Sequence, residues 1–320
     1  MKSLMVQQSA PQRLDKYLQQ QFPSVGFGRW SRAVKENKVK VNGKKQPLSY
    51  RVAQGDEIRI YLSDDILQLA PQDGPLFLSA RKELSVVYED ENLLICNKPS
   101  GLAVYGEQAD TLLHRAQRYL YEKGEYLPES QMPPCLCHRL DTGTSGLVMV
   151  AKNPQTEQFI SDLMAAHQLK KEYLCVTFGR PSPANAVLRD YLYKDAAKGI
   201  VYVEKQKRAG CKPIETHYET ICVSGRLALL KVRLITGRTH QIRAHMASIG
   251  CPILGDSKYG NQAANRELKL KYQALCSWKL TFPAISDKRY AALSGLEVCA
   301  PYPWYYSQML EHQLDGADKK

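Results

Sequence analysis

Acidic side chains are in short supply in this chain of 320 residues: 32 Asp and Glu face 44 Lys and Arg, a formal charge of +12 with a pI near 9.2. A cationic surplus of that size draws polyanions at long range. Also missing is any stretch of roughly 20 apolar residues, the length a membrane-spanning helix requires. Met1 to Gln12 is polar where an apolar signal region would stand, so the expectation is a cytoplasmic protein that engages no membrane. The nine cysteines, scattered from Cys96 to Cys299 and odd in number, make no disulfide framework and read as buried thiols in a reducing compartment. There is no internal repeat and no low-complexity tract. What is present is 44% hydrophobic residues, enough for a core without staples, over a length that favours two domains.

The charge is unevenly placed. Residues 1 to 62 hold 12 Lys or Arg against 4 Asp or Glu, and a segment that basic points to nucleic acid. Within it, Leu14, Tyr17, Leu18 and Phe22 recur at helical intervals before Pro23, which predicts one amphipathic helix. Trp30 to Lys38 repeats the pattern, with Trp30, Ala33 and Val34 on one side and Arg29, Arg32, Lys35 and Lys38 available on the other. A basic face on a short helix is a simple phosphate-tracking surface. Val39-Lys40-Val41 then alternates into Asn42-Gly43, a hairpin turn signal, and Ile58 to Leu62 alternates again.

From Ser63 the pattern dissolves: Asp64, Asp65, Pro71, Asp73, Gly74 and Pro75 mark a linker over residues 63–83. A second domain is expected over 84–304, with helices at Leu112 to Glu122 and Glu157 to His167 among short strands ended by Pro and Gly. The expected class is α+β: a small α/β module at 12–62, then a larger domain with a largely antiparallel mixed sheet flanked by helices. Residues 305–320 read as a tail, polar from Glu311.

Three clusters in the larger domain carry chemistry. Cys135 to Lys152 runs through Cys-His-Arg-Leu-Asp-Thr-Gly-Thr-Ser-Gly into an apolar strand, which sets Asp141 in a turn at a sheet's rim, where a carboxylate can accept hydrogen bonds. Taken blind, such an Asp more often caps its own turn. Lys170-Lys171-Glu172-Tyr173 enters another strand, and Tyr173 is either a half-buried ring or a platform that stacks on an extruded base. Finally, Thr236-Gly237-Arg238-Thr239-His240-Gln241-Ile242-Arg243 turns from a strand into a helix on which His240 and Arg243 share a face. The plain alternative makes Arg238 and Arg243 solvated arginines; the sharper one sets an Arg beside the Asp as an aligned ion pair.

Other chemistries fit less well. An aspartic protease would use Asp141-Thr142-Gly143, but it needs two carboxylates sharing a proton, and no second Asp-Thr-Gly or Asp-Ser-Gly occurs. Cys135, Cys137 and His138 lack a second ligand pair at zinc spacing, and His240 and His245 lack the Glu of a zinc protease motif. An RNA-binding assembly factor keeps the basic arm but leaves the three clusters idle.

Residues 12–62, through Arg13-Leu14-Asp15-Lys16-Tyr17-Leu18, Val39-Lys40-Val41-Asn42-Gly43 and Gly55-Asp56, resemble the S-four-like RNA-binding domain. His138-Arg139-Leu140-Asp141 with Thr144-Ser145-Gly146, then Tyr173, then Gly237 to Arg243, resemble the signature of the RluA-type RNA pseudouridine synthases. Asn97 to Gly101 and Gly255-Asp256-Ser257-Lys258-Tyr259-Gly260 match further motifs of that family. The resemblance implies Asp141 as catalytic aspartate, Tyr173 as the aromatic under the target base and Arg243 as partner of the Asp141 carboxylate. It implies Arg139 as the residue that fills the space of a flipped nucleotide. Lys98, Arg238 and His240 are expected, with the arm's cations, to contact RNA. Ribosomal RNA is the preferred substrate and transfer RNA the alternative, with no cofactor, metal or obligate protein partner. One departure stands out: after Gly101-Leu102-Ala103-Val104 many relatives have His, whereas this chain has Tyr105.

Overall fold

The computed structural model describes residues 2–7, 11–22, 25, 27–63, 67, 75–128 and 132–314. Pro23 and part of the expected linker, residues 64–66 and 68–74, lie outside them. The chain divides into two units, residues 1–80 with 106–109 and residues 81–105 with 110–320.

In the first unit, β1 (Lys2–Met5), β2 (Gln12–Arg13), α1 (Leu14–Gln21), α2 (Phe27–Lys35), β3 (Val39–Val41), β4 (Arg51–Val52) and β5 (Glu57–Ile60) follow in order. The helical spacing did what it forecast: Leu14, Tyr17 and Leu18 of α1 and Trp30, Ala33 and Val34 of α2 are buried in one cluster with Val39, Val41, Ile58 and Ile60. Arg29, Arg32 and Lys35 stay exposed on α2, and Lys38 follows in the turn after it. Asn42 and Gly43 both take positive φ, as a tight primed turn requires. The chain returns from that turn only as far as a bridge at Lys44; β3 pairs instead with β5, in a sheet ordered β1-β5-β3. Leu67, within the expected linker, packs into this core.

The second unit holds β6 (Val86–Glu89), β7 (Leu93–Lys98), α3 (Leu112–Glu122), β8 (Cys135–Leu136), β9 (Ser145–Ala151), α4 (Pro154–Ala165) and β10 (Lys170–Phe178). It continues through β11 (Asn185–Asp195), β12 (Ile200–Glu204), β13 (Lys212–Ser224), β14 (Leu227–Leu234), α5 (Gln241–Ser248), α6 (Gln262–Glu267), β15 (Leu275–Thr281), β16 (Glu297–Cys299) and α7 (Tyr305–Leu310). Its sheet runs β12-β11-β13-β14-β10-β15-β9-β7-β6, with β8 and β16 on the side. Every pairing is antiparallel except β15 with β9, so the fold is the mixed α+β architecture expected. From Leu147 to Ala151, β9 is sealed on both faces, which is why it reads as a continuous apolar run rather than an alternation. The segment from residue 305, expected as a tail, instead begins with a packed helix: the Tyr305 hydroxyl donates to the Leu174 carbonyl at 2.7 Å, and Met309 is buried beside it.

Three neighbouring strands fix where the Asp141 turn ends up. Gly146 of β9 lies opposite Ser277 of β15, and Ser277 lies opposite Tyr173 of β10. The approach at Gly146 is possible only without a side chain: its φ is +105°, and a Cβ there would fall 2.2 Å from the Ser277 carbonyl oxygen. Gly146→Ala is therefore expected to destabilise the protein by roughly 3 kcal/mol, which thermal unfolding would register as a fall in Tm of about 6–12 °C; an unchanged Tm would mean that β15 yields without cost.

Candidate active site

The carboxylate of Asp141 stands on the loop before β9, and that loop is pinned from behind. Lys98, at the end of β7, is fully buried and its ammonium donates to the carbonyls of Pro99 (2.9 Å), Leu102 (2.9 Å) and Thr142 (3.1 Å). Gly101 N–H donates to the same Thr142 carbonyl at 2.8 Å. On the other side, Gln273 donates to the Thr144 hydroxyl at 3.0 Å. The Asn97 to Gly101 motif thus holds the Asp141 turn in place. Lys98 was expected to contact RNA; the structure corrects this, because its three protons are spent on carbonyls and no face of it reaches solvent. Burial lowers its pKa to about 8, opposed by the charge of Asp141.

The turn after β14 brings in the remaining groups. Gln241 holds it: its amide oxygen accepts from Arg238 N–H (3.0 Å) and from the Thr236 hydroxyl (2.9 Å). Its amide nitrogen donates to the Glu215 carbonyl and the Thr216 hydroxyl, both at 3.0 Å. His240 was expected on the helix with Arg243. It is instead the residue before α5, in the left-handed region at φ 51°, because the chain must reverse sharply between strand and helix. His240 and Arg243 still face Asp141 together.

Arg243 is almost entirely buried on α5 and binds two carboxylates at once. Its Nη1 donates to Asp141 Oδ2 at 2.7 Å, while Nε and Nη2 fork onto Asp256 at 2.7 and 2.8 Å. Asp256 has no exposed side-chain surface and also accepts backbone N–H groups from Lys258 and Tyr259. Burial alone would raise the Asp256 pKa, but the Arg243 fork outweighs it and holds the carboxyl below its ordinary range. For Arg243 too, burial works against the charge and the two acids prevail, raising its pKa. The reading of Arg243 as a solvated arginine is thereby excluded. On its other side, the Arg243 guanidinium lies 5.3 Å from the centre of the Tyr259 ring.

Asp141, Tyr173, Arg243, His240, Arg139 and Arg238 all line one cleft of about 650 Å³. His240 Nε2 stands 3.7 Å from Asp141 Oδ1, and burial lowers its pKa. Burial pushes the Tyr173 phenol up to about 12, so it stays protonated. Arg139, exposed at the rim, donates to the Tyr105 hydroxyl and lies 5.1 Å from that ring's centre. Tyr105, the departure noted in the sequence, is thus the contact that holds Arg139. Arg29, Arg32, Lys35 and Lys38 belong to the N-terminal unit, where Arg32 and Lys38 share Glu36 as counter-ion.

Sequence reasoning passed over Lys171, Asp256 and Tyr259. The first lines the cleft; the other two sit in the Gly255 to Gly260 motif, whose presence was visible though its partner was not. A larger depression of about 930 Å³ lies elsewhere on this unit, lined by Glu89, Asp90, Glu91 and Glu125 with Lys123 and Lys152. Its acids are already engaged: Glu89 alone accepts from Tyr119, Lys123 and Lys152 at 2.8 Å. A surface of that sign does not suit a polyanion.

The family model for RNA pseudouridylate synthase matches residues 92–248. The "Ribosomal large subunit pseudouridine synthase C" of Rickettsia bellii is 34% identical over 258 residues, 78% of this chain and 83% of that protein. Its Rickettsia conorii namesake is 30% identical over 311 residues, covering 93% and 96% of the two chains. Among solved structures, "Human RNA Pseudouridylate Synthase Domain Containing 4" superposes with a TM-score of 0.57 at 23% identity, over 71% of this chain and 92% of that one, a likeness of fold. The chain therefore belongs to the RluA-type RNA pseudouridine synthases, isomerases that act on uridine in RNA.

Proposed function

We propose that this enzyme isomerises uridine in large-subunit ribosomal RNA, in the cytoplasm, by flipping the target nucleotide into the cleft beneath Asp141. The observation that carries the reading is the division of labour on one carboxylate. Asp141 Oδ2 is tied to Arg243 at 2.7 Å, whereas Oδ1 meets no donor at hydrogen-bond distance among the described residues. Oδ1 is the reacting oxygen. The large-subunit substrate rests on the names carried by the Rickettsia relatives, which align over most of both chains.

The reaction breaks the bond from the uracil ring nitrogen to the ribose, turns the ring, and forms the bond from ring carbon five. Carbon five loses its proton and the freed ring nitrogen gains one, so the product has the composition of the substrate. Asp141 serves it by covalent attack or by taking a proton from the ribose, and either route uses Oδ1. Flipping costs a few kcal/mol, offset by phosphate contacts and by stacking. Tyr173, protonated in the cleft, is the platform under the base, and Arg139 fills the gap in the stack. Arg238 at the cleft mouth, with Arg29, Arg32, Lys35 and Lys38 of the N-terminal module, holds phosphates.

Asp141→Asn is expected to lower turnover by roughly 10³-fold or more while the Kd for RNA stays within about twofold; single-turnover assay and filter binding measure the two, and an active Asn variant would sink the assignment. Replacing Tyr105 by Ala frees the guanidinium of Arg139, which raises KM for RNA roughly two- to fivefold and leaves kcat in place; an equal fall in kcat would make Tyr105 part of the chemistry. Neutralising Arg29, Arg32, Lys35 and Lys38 together should weaken binding and flatten the salt dependence, the log–log slope losing about 0.7–0.9 for each phosphate contact removed. Because Glu36 already neutralises part of Arg32 and Lys38, the total loss should stay below four contacts' worth; an unaltered slope would clear this helix of RNA contact.

A further inference from the structure

Tyr259 touches both His240 and Arg243, which face Asp141, yet it lies outside the residues so far given a role. Its hydroxyl accepts a hydrogen bond from Val201 N–H of β12 at 2.9 Å and lies 3.0 Å from His240 Nδ1. Its ring meets the His240 ring edge-on, with centres 5.7 Å apart at 73°, and carries the Arg243 guanidinium on its face. Its own N–H donates to Asp256. The neighbouring Lys258 ammonium donates to the Gly199 carbonyl at 2.7 Å, so the β11–β12 hairpin braces this residue from behind at two points.

The order of hydrogen bonds decides where a proton sits. A phenol has one proton to give. With the Val201 N–H already occupying an acceptor position, that proton goes to the nearest acceptor, His240 Nδ1. An imidazole that accepts at Nδ1 carries its own proton on Nε2, the nitrogen that stands 3.7 Å from Asp141 Oδ1. We propose that Tyr259 is a positioning residue that fixes the tautomer of His240, aiming Nε2–H at the free oxygen of Asp141. In the free enzyme 3.7 Å is beyond hydrogen-bond range; the bond closes when the substrate fills the cleft, as such bonds commonly do in complexes. The inference rests on the reading of Asp141 as the reacting carboxylate.

The test combines spectroscopy and kinetics on the full chain. In protein labelled with nitrogen-15, the His240 ring of the wild type should show an unprotonated Nδ1 and a protonated Nε2 at neutral pH; a protonated Nδ1 would overturn the proposal, and this needs no variant. Tyr259→Phe keeps the ring under Arg243 and removes only the hydroxyl. It should shift the His240 nitrogens toward a mixture of tautomers and lower kcat roughly tenfold or more, with KM for RNA unchanged. Full kcat in this variant, beside an inactive Asp141→Asn, would defeat the role of Tyr259 alone. Activity in Asp141→Asn would defeat the underlying reading instead.

Discussion

One guanidinium shared by two carboxylates organises this molecule. Arg243 lies between Asp256, which has no exposed surface, and Asp141, whose side chain keeps about a fifth of its own. Burying three charges costs several kcal/mol per ion, and their attraction repays it only when the geometry is good and the remaining donors and acceptors are satisfied. Here they are: the two-pronged contact with Asp256 is completed by backbone N–H groups at the carboxylate and by the Tyr259 ring against the guanidinium. The arrangement therefore contributes little net stability. What it supplies is direction, because the one nitrogen not committed to Asp256 points at Asp141 and, among the described residues, leaves that carboxylate a single free oxygen.

The rest of the unit serves that direction from several distances along the chain. The Asp141 loop is held by Lys98 from β7 and by Gln273 just before β15, residues far apart in sequence. Helix α5 is held by a buried polar chain in which His245 meets Thr216 at 2.9 Å and Asp190 at 3.1 Å, with Lys205 closing on Asp190 at 3.0 Å. Unpaired, the buried groups of His245, Thr216 or Asp190 would each cost roughly 1–3 kcal/mol; paired, they restrict where α5 can lie. Held from strands on both sides, the Asp141 loop and Arg243 are in place before substrate arrives, the condition under which fixed charges act with little reorganisation.

The parts legible in the sequence were those governed by local rules. Amphipathic spacing placed α1 and α2 and the faces they bury, the apolar run Leu147 to Ala151 announced a central strand, and the motif at His138 to Asp141 fell on a loop at its end. What escaped depended on the third dimension. Nothing local distinguishes Lys98, sealed with three carbonyls, from the exposed Arg29. His240 was read as helical because its spacing to Arg243 fits a helix, whereas the reversal at the Thr236 to His240 turn is decided by Gln241 reaching Glu215 and Thr216 on another strand. Residues 305–310 read as part of the tail, because it is the β10 carbonyl of Leu174 that gives the Tyr305 hydroxyl its place. Asp256 lay in a recognised motif, yet its partner was visible only once α5 was folded against it.

The same contrast separates two arginines of the cleft, Arg243 and Arg139. Arg243 is fixed by three charge-assisted hydrogen bonds and almost no exposed surface, so its position does not depend on what occupies the cleft. Arg139 is exposed and rests on a tyrosine that is itself half exposed, an arrangement worth only about 0.5–1 kcal/mol. An interaction that weak orients the Arg139 guanidinium without locking it, whereas the Arg243 cluster holds its guanidinium on every donor nitrogen. The molecule thus places its deep, expensive polar contacts around Asp141 and its shallow ones at the rim, and the proposed function asks for that distribution: a carboxylate held fixed beneath a rim that can adjust to RNA.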